Sequence, residues 1–198
     1  MSCRYDYNQL MPRQIAFLRA INVGGTKVIK MEDLRRMFES LGFANVATYI
    51  QSGNAIFETA QADGLRAQVE SKIQQTFGFE VEVFLRSMDE VRAIVKKSPF
   101  EPQGEETLFI HLLQAAPSAK SKQAVLALST PTDEFAVQRR EVYWLRRDRD
   151  KSPFNNNMVE KALGMSATAR NLNTMTKIVE KYGEIALKNR AEAKEKQA

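Results

Sequence analysis

The sequence has very few of the residues that build disulfide, metal or catalytic centres. Among its 198 residues there are one cysteine, one histidine and one tryptophan. A single cysteine, Cys3, cannot form an internal disulfide, which agrees with a reducing location in the cytoplasm. A cysteine–histidine zinc site needs more ligands than the chain has, and no acidic spacing marks a metal loop. We therefore expect no metal and no cofactor.

The chain also lacks a long hydrophobic run. No apolar segment approaches the roughly 20 residues needed to span a bilayer. The N-terminal segment, MSCRYDYNQLMPRQ, has no apolar centre of the kind found in a signal peptide. Hydrophobic residues make up 43% of the sequence and charged residues 27%, as in an ordinary globular protein. These features predict a cytoplasmic protein without a membrane partner.

The charge that is present is mildly positive. Lysine and arginine number 29 against 24 aspartates and glutamates, which gives a formal net charge of +5. This balance favours anionic partners such as nucleotides, nucleic acid or phosphorylated metabolites. The single histidine, His111, lies within a strand-like segment without the partners of a catalytic triad, so we expect it to be partly buried and structural.

Apolar periodicity divides the chain into two related halves. The first half has the order β-α-β-β-α-β of a ferredoxin-like unit. The second half repeats β-α-β-β-α, without a clear fourth strand, and its long last helix is predicted to have Thr168 as its N-cap. The predicted fold is α+β, with two ferredoxin-like (split β-α-β) halves, antiparallel sheets and a long C-terminal helix. The predicted boundaries are 14–97, 105–187 and, for a frayed tail, 188–198.

Two glycine-containing turns follow the first two strands of the N-terminal half. The segment AINVGGTK (20–27) leaves the first strand, and QSGN (51–54) leaves the second. A right-handed crossover makes these strands parallel, so both turns emerge at one edge of the sheet. Glycines let backbone N–H groups converge and a lysine adds charge, as in an anion-binding nest. The candidate ligand-binding residues are Asn22, Gly24, Gly25, Lys27, Ser52 and Asn54.

The same turns also have a purely structural interpretation. Gly-Gly permits a sharp exit from a strand, and Ser-Gly-Asn forms a tight hairpin turn. Neither segment has the spacing of a P-loop or of a dinucleotide-binding fingerprint. Both interpretations stay open at this point.

A polar motif, TARNLNT, stands where the last helix is predicted to begin. On a helical wheel its arginine, Arg170, falls opposite the apolar stripe, together with Lys177, Lys181 and Lys188. A cation in the first turn of a helix is unfavourable, because the helix dipole is positive there. This placement indicates an anionic partner and adds Arg170 and Asn171 to the candidate ligand-binding residues. The alternative is a solvated polar face.

Three segments in this order, FLRAINVGG, TYIQSGNAIF and TARNLNTMTKI, resemble the bacterial domain of unknown function 1697 family. The resemblance extends over roughly 14–182. It implies two ferredoxin-related halves and no established activity. The chain departs from the usual family pattern with Ala20 in place of glycine, Lys30 in place of proline and Leu172 in place of tryptophan. If that tryptophan stacks on a ligand, Leu172 does not replace it, and if it only packs, leucine serves equally well.

Three functions are compatible with these observations. The leading hypothesis is a binding protein that holds a phosphate-bearing ligand, a nucleotide or a short nucleic acid, at the edge formed by the two turns. The second is an enzyme that acts on a small phosphorylated or acyl substrate through the same loops, although no nucleophile–base pair identifies catalytic residues. The third is a structural protein that works by oligomerising.

Overall fold

Two four-stranded antiparallel sheets form the framework of the protein. The structure is a computed structural model that describes residues 11–195, with side chains as far as Gly183. The predictions on Cys3, Lys188 and the tail 188–198 fall outside the described side chains.

The two halves have the same order of elements. The first half consists of β1 (Arg13–Leu18), α1 (Met31–Ser40), β2 (Ala44–Tyr49), β3 (Asn54–Glu58), α2 (Leu65–Phe77), β4 (Val83–Ser87) and α3 (Met88–Lys96). The second half consists of β5 (Thr107–Leu112), α4 (Ala119–Leu126), β6 (Asp133–Gln138), β7 (Glu141–Arg146), α5 (Asn156–Leu163), β8 (Thr168–Asn171) and α6 (Leu172–Glu195). The sheet orders β2-β3-β1-β4 and β6-β7-β5-β8 correspond strand by strand. The predicted fold of two ferredoxin-like halves with a long last helix is confirmed.

The second half has a fourth strand that the sequence analysis does not predict. The prediction that Thr168 caps the last helix is wrong, because Thr168–Asn171 pairs with β5 and α6 begins at Leu172. Four residues are too few to show an alternating pattern, and pairing with β5 determines their conformation. Arg170 therefore lies in a strand, so neither the helix-dipole argument nor the helical wheel applies to it.

The helices α1, α2, α4 and α5 cover the outer faces of the sheets. In α2 the residues Leu65, Val69 and Ile73 recur at intervals of four, which places them on one face, and all three are buried. Together with α1 they pack against the first sheet in one apolar core. Val125 of α4 and Val159 of α5 pack against the second sheet in a separate core.

A third apolar core joins the two halves. It contains side chains from one face of each sheet and from α3 and α6, which pack on each other. Its buried members are Ile15, Phe17, Ile56, Phe84, Met88, Val91, Ile94, Leu108, Ile110, Leu112, Tyr143, Leu145, Met175 and Ile178. Removing this surface from water is the main attraction between the halves. This shared core holds the edges of the two sheets in a fixed position relative to each other.

His111 is more deeply buried than the sequence predicts. It lies in β5 with its ring 6.1 Å from that of Trp144, and only 1% of its surface is exposed. Neither of its ring nitrogens has a hydrogen-bond partner among the described residues. Burial lowers the pKa of His111 from 6.5 to about 4. The folded protein therefore holds a neutral imidazole.

Replacing His111 by leucine is expected to reduce the loss of stability in acid. The unfolded chain takes up this proton near pH 6.5, but the folded protein takes it up only near pH 4, so acid favours unfolding within this window. The lower pKa corresponds to a loss of up to about 3 kcal/mol as the pH falls from 7.5 to 4. Urea unfolding of both proteins at pH 7.5, 6.0 and 4.5 measures the difference. If His111→Leu lost as much free energy of unfolding between pH 7.5 and 4.5 as the original protein, the prediction would be wrong.

Candidate functional site

Asn22 connects the two glycine-containing turns at one edge of the first sheet. Its Nδ2 donates to Gln51 O at 2.8 Å and to Ile29 O at 3.0 Å, and its Oδ1 accepts from Ile29 N at 2.8 Å. In the register of β1 and β3, Asn54 lies opposite Phe17 near the end of β1. The predicted proximity of the two turns is confirmed. The segments 20–27 and 51–54 together are called the rim below.

The first turn of the rim is a miniature hairpin. Val23 and Thr26 form a bridge around Gly24 and Gly25, whose φ angles are +59° and +74°. Two successive positive φ values are typical of a type I′ turn and favour glycine. Both glycines are exposed, whereas the Lys27 side chain turns toward the segment before β4 and donates to Glu80 O at 2.7 Å.

Gly53 lies where the rim packs against the end of β1. Its φ is +74°, and a Cβ at this position would lie 2.5 Å from Ile21 Cδ1 and 3.0 Å from Leu18 Cβ. Its carbonyl accepts from Leu18 N at 2.9 Å. Glycine is required here for two reasons, the backbone conformation and the close approach of β1.

Arg170 of the second half is buried directly behind the rim. Its guanidinium donates only to uncharged oxygens: Asn54 Oδ1 (2.6 Å), Ser52 O (2.8 Å), Leu18 O (2.9 Å), Gly53 O (3.2 Å), Thr168 Oγ1 (2.9 Å) and Ala169 O (2.8 Å). No carboxylate takes part in these bonds. Burial lowers the pKa of Arg170 to about 10, so the group still carries its charge at neutral pH.

Arg86 makes a reciprocal contact from the first half to the second. It stands one residue before the end of β4, as Arg170 stands one residue before the end of β8. Its Nη2 donates to Leu113 O at 2.9 Å and to Arg140 O at 3.3 Å, and its Nε donates to Glu141 Oε1 at 3.1 Å. The side chain of Arg86 is fully buried. Each half therefore places an arginine at an equivalent position against the other.

The carbonyls that bind these arginines occupy equivalent places in the two halves. Leu18 N donates to Gly53 O, and Leu113 N donates to Arg140 O. Leu18 is the last residue of β1, and Leu113 directly follows β5. Gly53 directly precedes β3, and Arg140 directly precedes β7. The two arginine sites are thus related by the internal repeat of the chain.

One position makes the two arginine sites electrically different. The first residue of β3 is Asn54, and the first residue of β7 is Glu141. Glu141 gives Arg86 a carboxylate partner at 3.0 Å, whereas Asn54 gives Arg170 only an amide oxygen. A bonded carboxylate therefore neutralises the charge of Arg86, and none neutralises that of Arg170.

Asn171 lies on the opposite face of the second sheet from Arg170. Neighbouring residues of a strand point to opposite faces. Arg170 is paired with Ile110 of the shared core, whereas Asn171 is paired with Phe109, which packs on the α4–α5 side. Asn171 Oδ1 accepts from Asn173 N at 2.8 Å, at the start of α6. The structure brings Arg170 to the rim and places Asn171 away from it.

The sequence analysis does not single out Arg86 and Glu141, although a signal for the first is present. The segments LRSM (85–88) and ARNL (169–172) both place an arginine two residues before a helix, at equivalent points of the repeat. Aligning the two halves would have identified the arginine pair. Their acceptors lie in the opposite half, at sequence separations that no local pattern encodes.

A cleft of about 510 Å³ lies beside Arg86, between α3 and the turn that joins β6 and β7. Its size alone would make it a candidate ligand site. However, Arg140 and Glu90 form an ion pair in its wall, and Arg86 behind it is paired with Glu141. We favour the rim as the candidate site, because the buried charge there has no such partner.

No group of three histidine, cysteine, aspartate or glutamate residues in the described part of the chain is placed to hold a metal ion. No helix within residues 11–195 is long and apolar enough to cross a membrane.

Comparison with known proteins identifies the family. Residues 11–143 match the family described as protein of unknown function DUF1697, and the chain belongs to this family. Among solved structures, the conserved bacterial protein SP0830 from Streptococcus pneumoniae is similar, with a TM-score of 0.67. Its sequence is 20% identical, and the match covers 86% of this chain and 98% of that one, which supports the fold alone. No curated protein matches the sequence.

Gly53→Ala is expected to destabilise the protein more than Gly25→Ala. Both glycines have a φ of +74°, so the backbone strain on alanine is matched at about 1–2 kcal/mol. Only at position 53 does the added Cβ meet other atoms, which adds about 1–3 kcal/mol. Thermal and urea unfolding of the two variants measure the difference. Equal losses would show that β1 does not approach the rim closely.

Proposed function

We propose that this member of the DUF1697 family binds a phosphate-bearing ligand at the rim. Nucleotides and short nucleic acids are the first candidates, in keeping with the net charge of +5. The single observation that carries the proposal is the buried guanidinium of Arg170, which lies behind the rim and is bonded only to neutral oxygens. A cation removed from water attracts a nearby anion more strongly than a solvated one does.

The bonds to Arg170 also determine how the peptide groups of the rim are oriented. The carbonyls of Ser52 and Gly53 point inward to the guanidinium, and that of Gln51 points to Asn22. All peptide bonds in the described chain are trans, so each N–H points opposite to the carbonyl of its own peptide group. The N–H of Gly53 shares a peptide group with the Ser52 carbonyl and therefore points away from Arg170, and the N–H of Ser52 shares one with the Gln51 carbonyl and points away from the side chain of Asn22. Neither has an acceptor among the described residues.

Arg170 can act on an anion through these peptide groups without touching it. A hydrogen bond from a cation to a carbonyl polarises the peptide and strengthens its N–H as a donor. The amide of Gly53, polarised through the Ser52 carbonyl, would then bind the anion together with the neighbouring amide of Ser52, in the same way as the N–H groups of a nest. The exposed residues Gly24 and Gly25 extend this surface, and the charge of Lys27, whose Nζ donates to Glu80 O, lies beside it.

The second half provides an internal comparison for this proposal. The turn between β6 and β7 is held by Arg86 as the rim is held by Arg170, but Glu141 neutralises that arginine. A carbonyl directly before the third strand is thus bonded to an arginine in both halves, but in the second half the charge of that arginine is compensated. We expect the rim to bind anions and the turn between β6 and β7 to bind them more weakly.

Asn54→Asp is expected to abolish anion binding at the rim. The new carboxylate would lie at the position of Asn54 Oδ1, 2.6 Å from Arg170 Nε, and neutralise its charge as Glu141 does for Arg86. The affinity for inorganic phosphate, a nucleoside triphosphate and a short oligonucleotide should fall at least about tenfold. Isothermal titration calorimetry at low ionic strength gives these affinities.

Gln74→Glu serves as the control for this experiment. It makes the same change of net charge on an exposed position of α2. This variant should bind each anion with the affinity of the original protein, and circular dichroism should show both variants folded. Binding that is equally strong in Asn54→Asp would rule out the role given to Arg170.

A further inference from the structure

Three large aliphatic side chains are exposed at or next to the rim. Val23 and Val28 are each 64% exposed, and Ile50 is 47% exposed. The side-chain amide of Asn22 donates to the carbonyls of Ile29 and Gln51. In the chain, Val23 is next to Asn22, Val28 is next to Ile29, and Ile50 is next to Gln51. The backbones of the three residues are therefore held close together at one edge of the first sheet, in the same rim region as Ser52 and Gly53.

The backbone of this region is held in unusual conformations. Ile50 has a φ of +50°, a left-handed value that is rare for a β-branched residue. Ala20, Asn22 and Lys27 also have positive φ values, between +47° and +55°. Asparagine adopts this conformation readily, but isoleucine does not. Burial of the side chain does not explain the strain at Ile50, because this side chain is about half exposed. Strained residues concentrate at functional sites.

We propose that the ligand of the rim carries an aliphatic group next to its phosphate. This inference rests on the proposed anion site and, within the class of phosphate-bearing ligands, favours aliphatic phosphates over the nucleotides and nucleic acids considered first. The phosphate binds to the amides of Ser52 and Gly53 in front of Arg170, and the aliphatic group lies on Val23, Val28 and Ile50. Nucleobases are held best by aromatic side chains and arginine planes. The exposed side chains here are aliphatic, and the ring of the nearby Tyr49 packs edge-on against Tyr182 at 6.4 Å.

A series of alkyl phosphates tests this inference. Methyl, ethyl, propyl and butyl phosphate carry the same phosphomonoester group and differ only in apolar surface, so each added methylene should tighten binding about two- to fourfold. Glycerol phosphate, which has a similar length but a polar chain, should bind like inorganic phosphate. A nucleoside monophosphate should bind more weakly than butyl phosphate.

Ile50→Asn separates the ligand contact from the fold. Asparagine tolerates the left-handed conformation, so this variant should unfold at a higher temperature than the original protein. Its affinity for inorganic phosphate should be unchanged, while the increase along the alkyl series should become smaller. Arg139→Asn is the matched control. Arg139 directly follows β6 with a φ of +52°, and Ile50 directly follows β2 with a φ of +50°. The Arg139→Asn variant should retain the full increase in affinity along the alkyl series.

The outcomes distinguish this inference from the proposed function. If inorganic phosphate binds but affinity does not rise along the alkyl series, the aliphatic contact is refuted and the anion site stands. If no phosphate binds, both are refuted. Vesicles that contain phosphatidic acid distinguish a lipid source from a free ligand. Binding to butyl phosphate but not to these vesicles would assign the contact to a free ligand, and tighter binding to the vesicles would assign it to a lipid.

Discussion

The buried cation of Arg170 is the interaction on which the site depends. A guanidinium removed from water is costly unless its donors are satisfied, and this one is satisfied by six oxygens. Three of these are carbonyls of the opposite half, Leu18 O, Ser52 O and Gly53 O. Their positions are possible only when the two sheets are correctly docked. The apolar core supplies the attraction between the halves, and the arginine makes their alignment specific.

The internal repeat gives this interaction a counterpart. Arg86 and Arg170 occupy equivalent places, and each binds the end of the first strand and the turn before the third strand in the other half. Both arginines share the bonds to these two places, but the exchange is asymmetric in charge, because Glu141 stands where the first half has Asn54. One site is compensated within the protein, and the other would gain from an external anion. A single side chain thus distinguishes a structural contact from a candidate binding site.

The features that the sequence predicts are those set by local patterns. Helical spacing and hairpin turns predict the two halves, and the parallel direction of β1 and β2 predicts that both glycine-containing turns meet. Local patterns do not predict the strand Thr168–Asn171, because its four residues acquire their conformation by pairing with β5. The orientation of Lys27 toward Glu80 and the partners of Arg86 depend on contacts between distant segments. The opposite directions of Arg170 and Asn171 follow from strand geometry, which a helical interpretation cannot reveal.

The central claim is that an anion binds at the rim to the Gly53 amide, which Arg170 polarises, and to the neighbouring Ser52 amide, and a nuclear magnetic resonance titration tests it most directly. Uniformly ¹⁵N-labelled protein would be titrated with inorganic phosphate at constant ionic strength and pH. The account predicts that the amide signals of Ser52 and Gly53 shift most and reach saturation, while those of Arg139 and Arg140 in the equivalent turn change little. Saturable shifts centred on the cleft beside α3, or shifts spread over the surface lysines without saturation, would contradict it.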